Sequence, residues 1–168
     1  WQIFEQVCIQ AVRLIGTDGF ISINVSGRHF RSVDLDQRLL ALLDQYAVPT
    51  HCIHIEVTEH ALLENPTQVK QMLQNLRDKG VGISLDDFGT GYSSLSYLHQ
   101  YPFESLKIDR SFITELPPDD SETQGLALVR AIQVLADSLH MKVIAEGIEH
   151  DSQRQALLRV GCRYGQGF

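Results

Sequence analysis

Short apolar runs rich in β-branched residues alternate with amphipathic stretches along almost the whole chain, and this alternation is the strongest constraint on the fold. Six of the runs have the length and composition of buried strands: residues 20–25, 52–57, 81–86, 106–109, 143–146 and the short 162–164. The stretches between them are long enough for a helix that returns the chain to the next strand. The sequence therefore predicts an α/β fold with a parallel sheet covered by helices.

Two architectures accommodate six such strands. An open doubly wound sheet is one of them, and the other is a TIM-type (β/α) barrel, which takes about 250 residues. The chain has 168 residues, so the barrel requires that it cover about six of the strands. Periodicity alone does not choose between the two.

Capping signals mark several of the helices. Asn65 and Pro66 have the residue types of an N-cap and a first helical position, and Gly80 lies where a helix of that length ends. Ser121 and Gln124 have capping-box spacing ahead of another long helix. A short helix is expected near 94–100.

Charge and composition exclude several classes of function. The chain carries 14 Lys and Arg against 21 Asp and Glu, a net charge of −7, which argues against a basic face for DNA or RNA. Its three cysteines are far apart and form no C-x-x-C pair, so we expect a reducing, cytoplasmic location. No apolar run approaches the roughly 18 to 20 residues of a membrane span, and no membrane contact is expected from this segment.

Polar or ionisable residues stand at or just beyond the end of nearly every predicted strand. They are Asn24, Glu56, Asp86, Asp87, Lys107, Asp109, Glu146 and Gln166. The carboxyl ends of parallel strands are where ligands bind in α/β folds. One such residue alone is more often a helix cap or an ion-pair partner, but the series predicts a shared site.

Four of these residues are carboxylates: Glu56, Asp86, Asp87 and Glu146. Like charges close together need a cation or a proton to neutralise them, and oxygen ligands without a His or Cys cluster suit Mg²⁺ or Mn²⁺. Two such ions about 3.5 to 4 Å apart can cleave a phosphodiester, which would reconcile an acidic protein with an anionic substrate. In the purely structural alternative, Asp87 caps the next loop and Glu146 pairs with a base.

A glycine-rich loop, 88–94, follows the two aspartates directly. Gly89 and Gly91 allow the backbone to pass close to a ligand, but the loop lacks the Lys of a Walker A motif and the spacing of a dinucleotide fingerprint. No G-x-S-x-G elbow is present and the histidines are scattered, so a serine nucleophile and a zinc site are not expected.

These motifs, in this order, resemble the EAL domain family of bacterial cyclic di-GMP phosphodiesterases. The resemblance lies in Asn24 on the first run, Glu56-Val57-Thr58-Glu59, Asp86-Asp87-Phe88-Gly89-Thr90-Gly91, Lys107-Ile108-Asp109, Ala145-Glu146-Gly147 and Gly165-Gln166-Gly167. It extends through essentially the whole chain. It implies a barrel in which residues 1–168 form a partial domain, without the strand that bears Glu-Ala-Leu and without the last strand and helix.

The resemblance also implies roles for individual residues. Two Mg²⁺ or Mn²⁺ ions would be held by Asn24, Glu56, Asp86, Asp87 and Glu146, with Asp87 shared between the ions. Lys107 would position a metal-bound water or the phosphate, and Glu146 is a candidate general base. Supporting roles at the substrate or the loop would fall to Glu59, Gly89, Thr90, Gly91, Asp109, Glu149 and Gln166; Glu149 would support Lys107 or the surroundings of the metals.

The implied reaction is attack of a metal-bound hydroxide on cyclic di-GMP, which gives linear pGpG. The alternatives that stay open are a cyclic di-GMP receptor without catalytic activity and another Mg²⁺ barrel, such as an enolase-type lyase. Expected partners are a second copy of the domain and an upstream sensory or diguanylate-cyclase (GGDEF-type) domain. The intact protein could also be anchored in a membrane through regions outside this chain.

Overall fold

Strands alternate with single helices or pairs of helices over most of the described residues. The computed structural model describes residues 1–17, 19–63, 65–89, 98–116 and 123–168. Its strands are β1 Ile21–Val25, β2 Ile53–Thr58, β3 Gly82–Phe88, β4 Ser105–Ile108, β5 Lys142–Ile148 and β6 Tyr164–Gly167. Its helices are α1 Gln2–Ala11, α2 Gly27–Phe30, α3 Leu35–Gln45, α4 Glu59–Leu62, α5 Pro66–Asp78, α6 Arg110–Thr114, α7 Gln124–Ser138 and α8 Asp151–Arg159.

The chain divides into two compact units. The first unit contains Trp1–Ser84 and Leu95–Phe103. In it, β1 and β2 pair in parallel, from Ile21 opposite Ile53 to Val25 opposite Val57. Most of β2 is buried, as expected for a parallel strand with both faces covered.

Helix α5 of the first unit follows its sequence signals closely. The Asn65 side chain accepts a hydrogen bond from the Gln68 backbone N–H at 3.4 Å, and Pro66 is the first helical residue. Val69, Met72, Leu73 and Leu76 form its buried face. Gly80 adopts a φ of 89° just beyond the helix, a left-handed conformation that glycine adopts readily at helix ends. The predicted cap and stop are both confirmed.

The second unit contains Leu85–Ser94 and Glu104–Phe168. In it, β5 pairs in parallel with β4 on one side and with β6 on the other. Strand β3 begins in the first unit and ends in the second. The register of the β5–β6 pairing shifts between Glu146 and Ile148, so the regular strand geometry is interrupted directly after Glu146.

Several predicted boundaries are corrected by the structure. Strand β3 continues through Asp87 to Phe88 instead of ending at Asp86, and the last strand is Tyr164–Gly167, which contains Gln166. The N-cap of α7 is Thr123, whose hydroxyl accepts from the Leu126 backbone N–H at 3.3 Å. The predicted cap Ser121 and most of the helix predicted near 94–100 lie outside the described residues.

The three cysteines are buried as free thiols, Cys8 and Cys52 in the first unit and Cys162 in the second. Burial raises the pKa of the Cys8 and Cys162 thiols because it disfavours the charged thiolate. Among the described residues, no helix combines the length and the apolar character needed to cross a membrane.

Candidate metal centre

Three carboxylates of the second unit lie together where two strands end. Asp86 and Asp87 are at the end of β3, Glu146 is near the end of β5, and one oxygen from each lies within 4.8 Å of the others. We call these three residues the acidic cluster. Their oxygens are close enough to coordinate one cation, and an all-oxygen donor set is the kind that Mg²⁺ and Mn²⁺ prefer.

A buried lysine pairs with two members of the acidic cluster. Lys107, on β4, is 5% exposed, and its Nζ lies 2.7 Å from Glu146 Oε1 and 3.4 Å from Asp86 Oδ1. An ammonium with so little water around it needs compensating carboxylates, and the carboxylates need it equally. Four of the predicted strand-end residues, Asp86, Asp87, Lys107 and Glu146, therefore form one charged group.

The backbone at Asp87 has an unusual conformation. Asp87 has a φ of 55°, in the left-handed region that residues other than glycine, Asn and Asp rarely adopt. Its N–H donates to the Asp86 carboxylate at 3.0 Å. Gly89 follows with a φ of 97°. These turns end β3 and place two successive carboxylates beside one site.

Asn24 and Glu56 belong to the first unit, where they are register partners on β1 and β2. Glu56 is buried, whereas Asn24 is exposed. Glu59, the predicted anchor of the loop, is the first residue of α4. Of that loop, Gly89 is described, whereas Thr90 and Gly91 lie outside the described residues.

Asp109 and Glu149 have local partners in the second unit. Asp109 caps α6 and accepts hydrogen bonds from the Ser111 hydroxyl and, at 3.0 Å, from the Ser111 backbone N–H. These bonds lower the pKa of Asp109 because they stabilise the ionised carboxylate. Glu149 Oε1 pairs with Arg110 Nη2 at 2.6 Å. The predicted support of Lys107 or the metals by Glu149 stays a prediction.

Gln166 faces Glu146 in the register of β5 and β6, and it is exposed. This pairing puts the amide beside the acidic cluster's strand. Its predicted contact with the substrate or a water network stays a prediction.

Four residues near the acidic cluster received no role from the sequence. Arg110 and Phe112 lie on α6, Gly147 follows Glu146, and Gln153 is a buried residue of α8. Glycine directly after a strand-end glutamate was the available signal, because it marks a close approach or a positive φ. The partner that approaches it could not be identified from local sequence.

Comparison with known proteins identifies a consistent set of relatives. The family model of the EAL domain matches residues 2–168. The chain is 43% identical, over 90% of its length, to the bifunctional diguanylate cyclase/cyclic di-GMP phosphodiesterase MucR of Pseudomonas aeruginosa. That match covers 22% of MucR, so the chain spans about a fifth of this relative.

Solved structures agree with the sequence comparison. A complex of the PaMucR phosphodiesterase with c-di-GMP matches 99% of this chain and 72% of that chain, at a TM-score of 0.89 and 37% identity. A manganese/cy-diGMP complex of Klebsiella pneumoniae BlrP1 matches 99% of this chain and 41% of that chain, at a TM-score of 0.84 and 27% identity. The predicted α/β fold class is confirmed, and the similarity favours the barrel over the open sheet.

Proposed function

The chain belongs to the EAL domain family, and from that premise we propose that it is a metal-dependent phosphodiesterase that hydrolyses cyclic di-GMP to linear pGpG. The observation that carries the proposal is the acidic cluster with its buried Lys107. This arrangement combines a cation site with a positive side chain, and both suit a phosphodiester. The names of MucR and of the complexes of PaMucR and BlrP1 support the same ligand.

The acidic cluster fits a divalent cation, since three carboxyl side chains offer oxygen donors within 4.8 Å of one another and Lys107 pairs with two of them. We propose that Asp86, Asp87 and Glu146 would hold a metal ion. Two statements implied by the resemblance stay predictions: that Asn24 and Glu56 are further ligands, and that Asp87 is shared between two ions. Bound Mg²⁺ or Mn²⁺ would supply an activated water and would stabilise the charge of the leaving oxygen.

Lys107 and Glu146 have complementary tasks in this proposal. The ammonium of Lys107 lies 2.7 Å from Glu146, so it holds that carboxylate in place and provides a positive charge for a phosphate oxygen. Glu146 is the proposed general base and would accept a proton from water. Because Lys107 is buried, its charge is less screened by solvent than a surface charge would be.

The remaining predicted residues are proposed to support the substrate or the loop. That Glu59 anchors the loop after β3 and that Gln166 contacts the substrate or its waters stay predictions from the resemblance. We also propose a homodimer and an additional sensory or diguanylate-cyclase domain in the complete protein; the bifunctional name of MucR supports the latter. The cytoplasmic location stays a prediction.

The test uses the longer protein in which the Glu-Ala-Leu strand implied by the resemblance is present. It compares three variants with the wild type in the presence of Mn²⁺ and cyclic di-GMP, and pGpG is measured by chromatography. Asp87→Asn and Glu146→Gln keep side-chain size but each remove a charge, and we expect turnover to fall at least about 100-fold, since such residues bind the metals directly. Asp151→Asn is the matched control, because Asp151 is an exposed carboxylate paired with Arg154. We expect it to retain wild-type turnover.

The results distinguish an enzyme from a receptor. Turnover of the wild type that is lost in Asp87→Asn and Glu146→Gln supports the proposal. Tight binding of cyclic di-GMP without metal and without pGpG would contradict it and identify a receptor. Wild-type rates in both variants would remove the assigned site.

A further inference from the structure

The short helix α6 lies between two turns that follow members of the acidic cluster. It begins at Arg110, three residues after Lys107, with Asp109 as its N-cap. The helix contributes little to the hydrophobic core, because Arg110 and Ser111 are exposed and Ile113 is its one fully buried residue. Two of its side chains instead contact the backbone beside the acidic cluster.

Arg110 packs on the turn that follows Glu146. Gly147 has a φ of 71° and stands in the irregular part of the β5–β6 pairing. A Cβ atom at residue 147 would lie 2.9 Å from both Cβ and Cδ of Arg110 and would also overlap its Cγ. The aliphatic part of the Arg110 side chain therefore fills the space beside Gly147. It restricts the backbone conformation at Gly147, the residue directly after Glu146.

Phe112 makes the equivalent contact with the turn that follows Asp87. Gly89 has a φ of 97°, and a Cβ atom there would lie 2.8 Å from Cε2 of the Phe112 ring. The ring of Phe112 therefore lies against the backbone at Gly89 and leaves no room for a side chain there. One short helix thus contacts the turns after two carboxylates from different strands.

Hydrogen bonds hold α6 against the end of β5. Gln153, which is 6% exposed, donates from Nε2 to the Ile113 carbonyl at 3.2 Å. Its Oε1 accepts from the backbone N–H groups of Glu149 at 2.8 Å and His150 at 3.0 Å. The Arg110–Glu149 ion pair at 2.6 Å adds a contact at the surface. Helix α6 is therefore fixed to the segment it contacts.

We propose that α6 is a positioning helix for the acidic cluster, in which Arg110 acts on Glu146 through Gly147 and Phe112 acts on Asp87 through Gly89. This rests on the proposed function for its biological meaning. Neither residue is a catalytic residue. Outer residues that orient metal ligands typically change metal affinity or activity about 10- to 100-fold when replaced, because misplaced ligands coordinate poorly.

The test measures Mn²⁺ affinity by calorimetry and cyclic di-GMP turnover in the same samples. We expect Arg110→Ala and Phe112→Ala each to weaken Mn²⁺ binding about 10-fold and to lower kcat by a similar factor. Arg110→Met keeps the stem that contacts Gly147 and should stay within about threefold of wild type, because an exposed ion pair contributes little. Arg154→Ala, which breaks another exposed pair at 2.7 Å, is the matched control and should match wild type.

Weaker Mn²⁺ binding could come from general unfolding or from misplaced carboxylates of the acidic cluster. A milder variant and unfolding curves distinguish these two causes. Phe112→Leu keeps an apolar side chain but removes the ring, so it should weaken Mn²⁺ binding at a wild-type unfolding midpoint. Wild-type Mn²⁺ affinity in Arg110→Ala and in Phe112→Leu would overturn the proposal and leave the phosphodiesterase intact. Equal losses in Arg110→Met and Arg110→Ala would also overturn it, because the ion pair would then be responsible.

The two proposals fail in different ways. A wild-type protein that binds Mn²⁺ without turnover contradicts the phosphodiesterase, yet weaker Mn²⁺ binding by Arg110→Ala would still support the positioning helix. Wild-type turnover of cyclic di-GMP together with unchanged Mn²⁺ affinity in the α6 variants supports the phosphodiesterase and contradicts the positioning helix.

Discussion

Replacing Lys107 with Met tests whether its ammonium is the counter-charge of the acidic cluster. The substitution keeps a long unbranched side chain at a position that is 5% exposed and removes the charge. Glu146 and Asp86 then lose partners at 2.7 and 3.4 Å. Carboxylates left near one another without a cation destabilise the folded protein.

The expected magnitude follows from these distances. At an effective dielectric constant of about 20, the two attractions correspond to about 6 and about 5 kcal/mol, and desolvation of the ions offsets much of this. Removing one partner of a buried pair typically costs about 3 to 5 kcal/mol. The Glu146 side chain is 17% exposed and keeps some contact with water, so we expect about 3 kcal/mol.

Urea unfolding in EDTA at neutral pH measures this loss. The titration is repeated for both proteins at one fixed Mn²⁺ concentration, about 100 times the Kd of the wild type. This should raise the unfolding free energy of the wild type by about 2.7 kcal/mol if Mn²⁺ binds the folded state alone. Lys107→Met should gain more, because its carboxylates no longer share their charge with the ammonium. Its stability should therefore approach that of wild type when Mn²⁺ is present, while turnover is lost.

The control is Lys142→Met, which removes an exposed lysine at the start of the neighbouring strand β5. We expect a change within about 0.5 kcal/mol, as for most surface substitutions. A metal-free Lys107→Met protein as stable as wild type would refute the counter-charge reasoning. A stability gap that Mn²⁺ leaves unchanged would refute the competition between ammonium and metal.

Two further predictions concern helix caps. Ser111→Ala removes the hydroxyl that is the largest cause of the lowered Asp109 pKa, so the Asp109 pKa measured by carbon NMR should rise toward its ordinary value. The wild type should be more stable than the variant above the unfolded-state pKa of Asp109. This advantage should disappear as the pH falls through the lower folded-state pKa. An unchanged Asp109 pKa would contradict this. Asn65→Ala should lower the free energy of unfolding in urea by about 0.5 to 1 kcal/mol. This is the lower part of the range for N-caps, because the hydrogen bond from the Gln68 N–H to Asn65 is long at 3.4 Å. An equal effect of Gln74→Ala would show that the cap is not responsible.

The parts predicted well from sequence are those set by short-range rules. Asn65, Pro66 and Gly80 mark α5 because capping and positive φ depend on neighbouring residues. The grouping of Asp86, Lys107 and Glu146 was also predictable, since parallel strands deliver their ends to one edge. Their individual roles stay predictions.

What could not be predicted depends on packing between distant segments. The Arg110–Glu149 pair and the Gln153–Ile113 bond join residues that lie 39 and 40 positions apart, and no local pattern encodes either contact. The left-handed backbone of Asp87 was missed because strand periodicity describes extended residues. Thr123, the N-cap of α7, could not be singled out from sequence because several neighbouring residues have side chains that suit an N-cap.

The buried thiols provide the protein with its own reporters of local opening. Alkylating reagents react with the thiolate, and the raised pKa values of Cys8 and Cys162 keep that form scarce until the surrounding structure opens. Peptide mass spectrometry of alkylation at increasing urea would follow Cys8 and Cys52 for one unit and Cys162 for the other. Coincident curves would identify one cooperative transition, and separate curves would assign each unit its own stability without any introduced label.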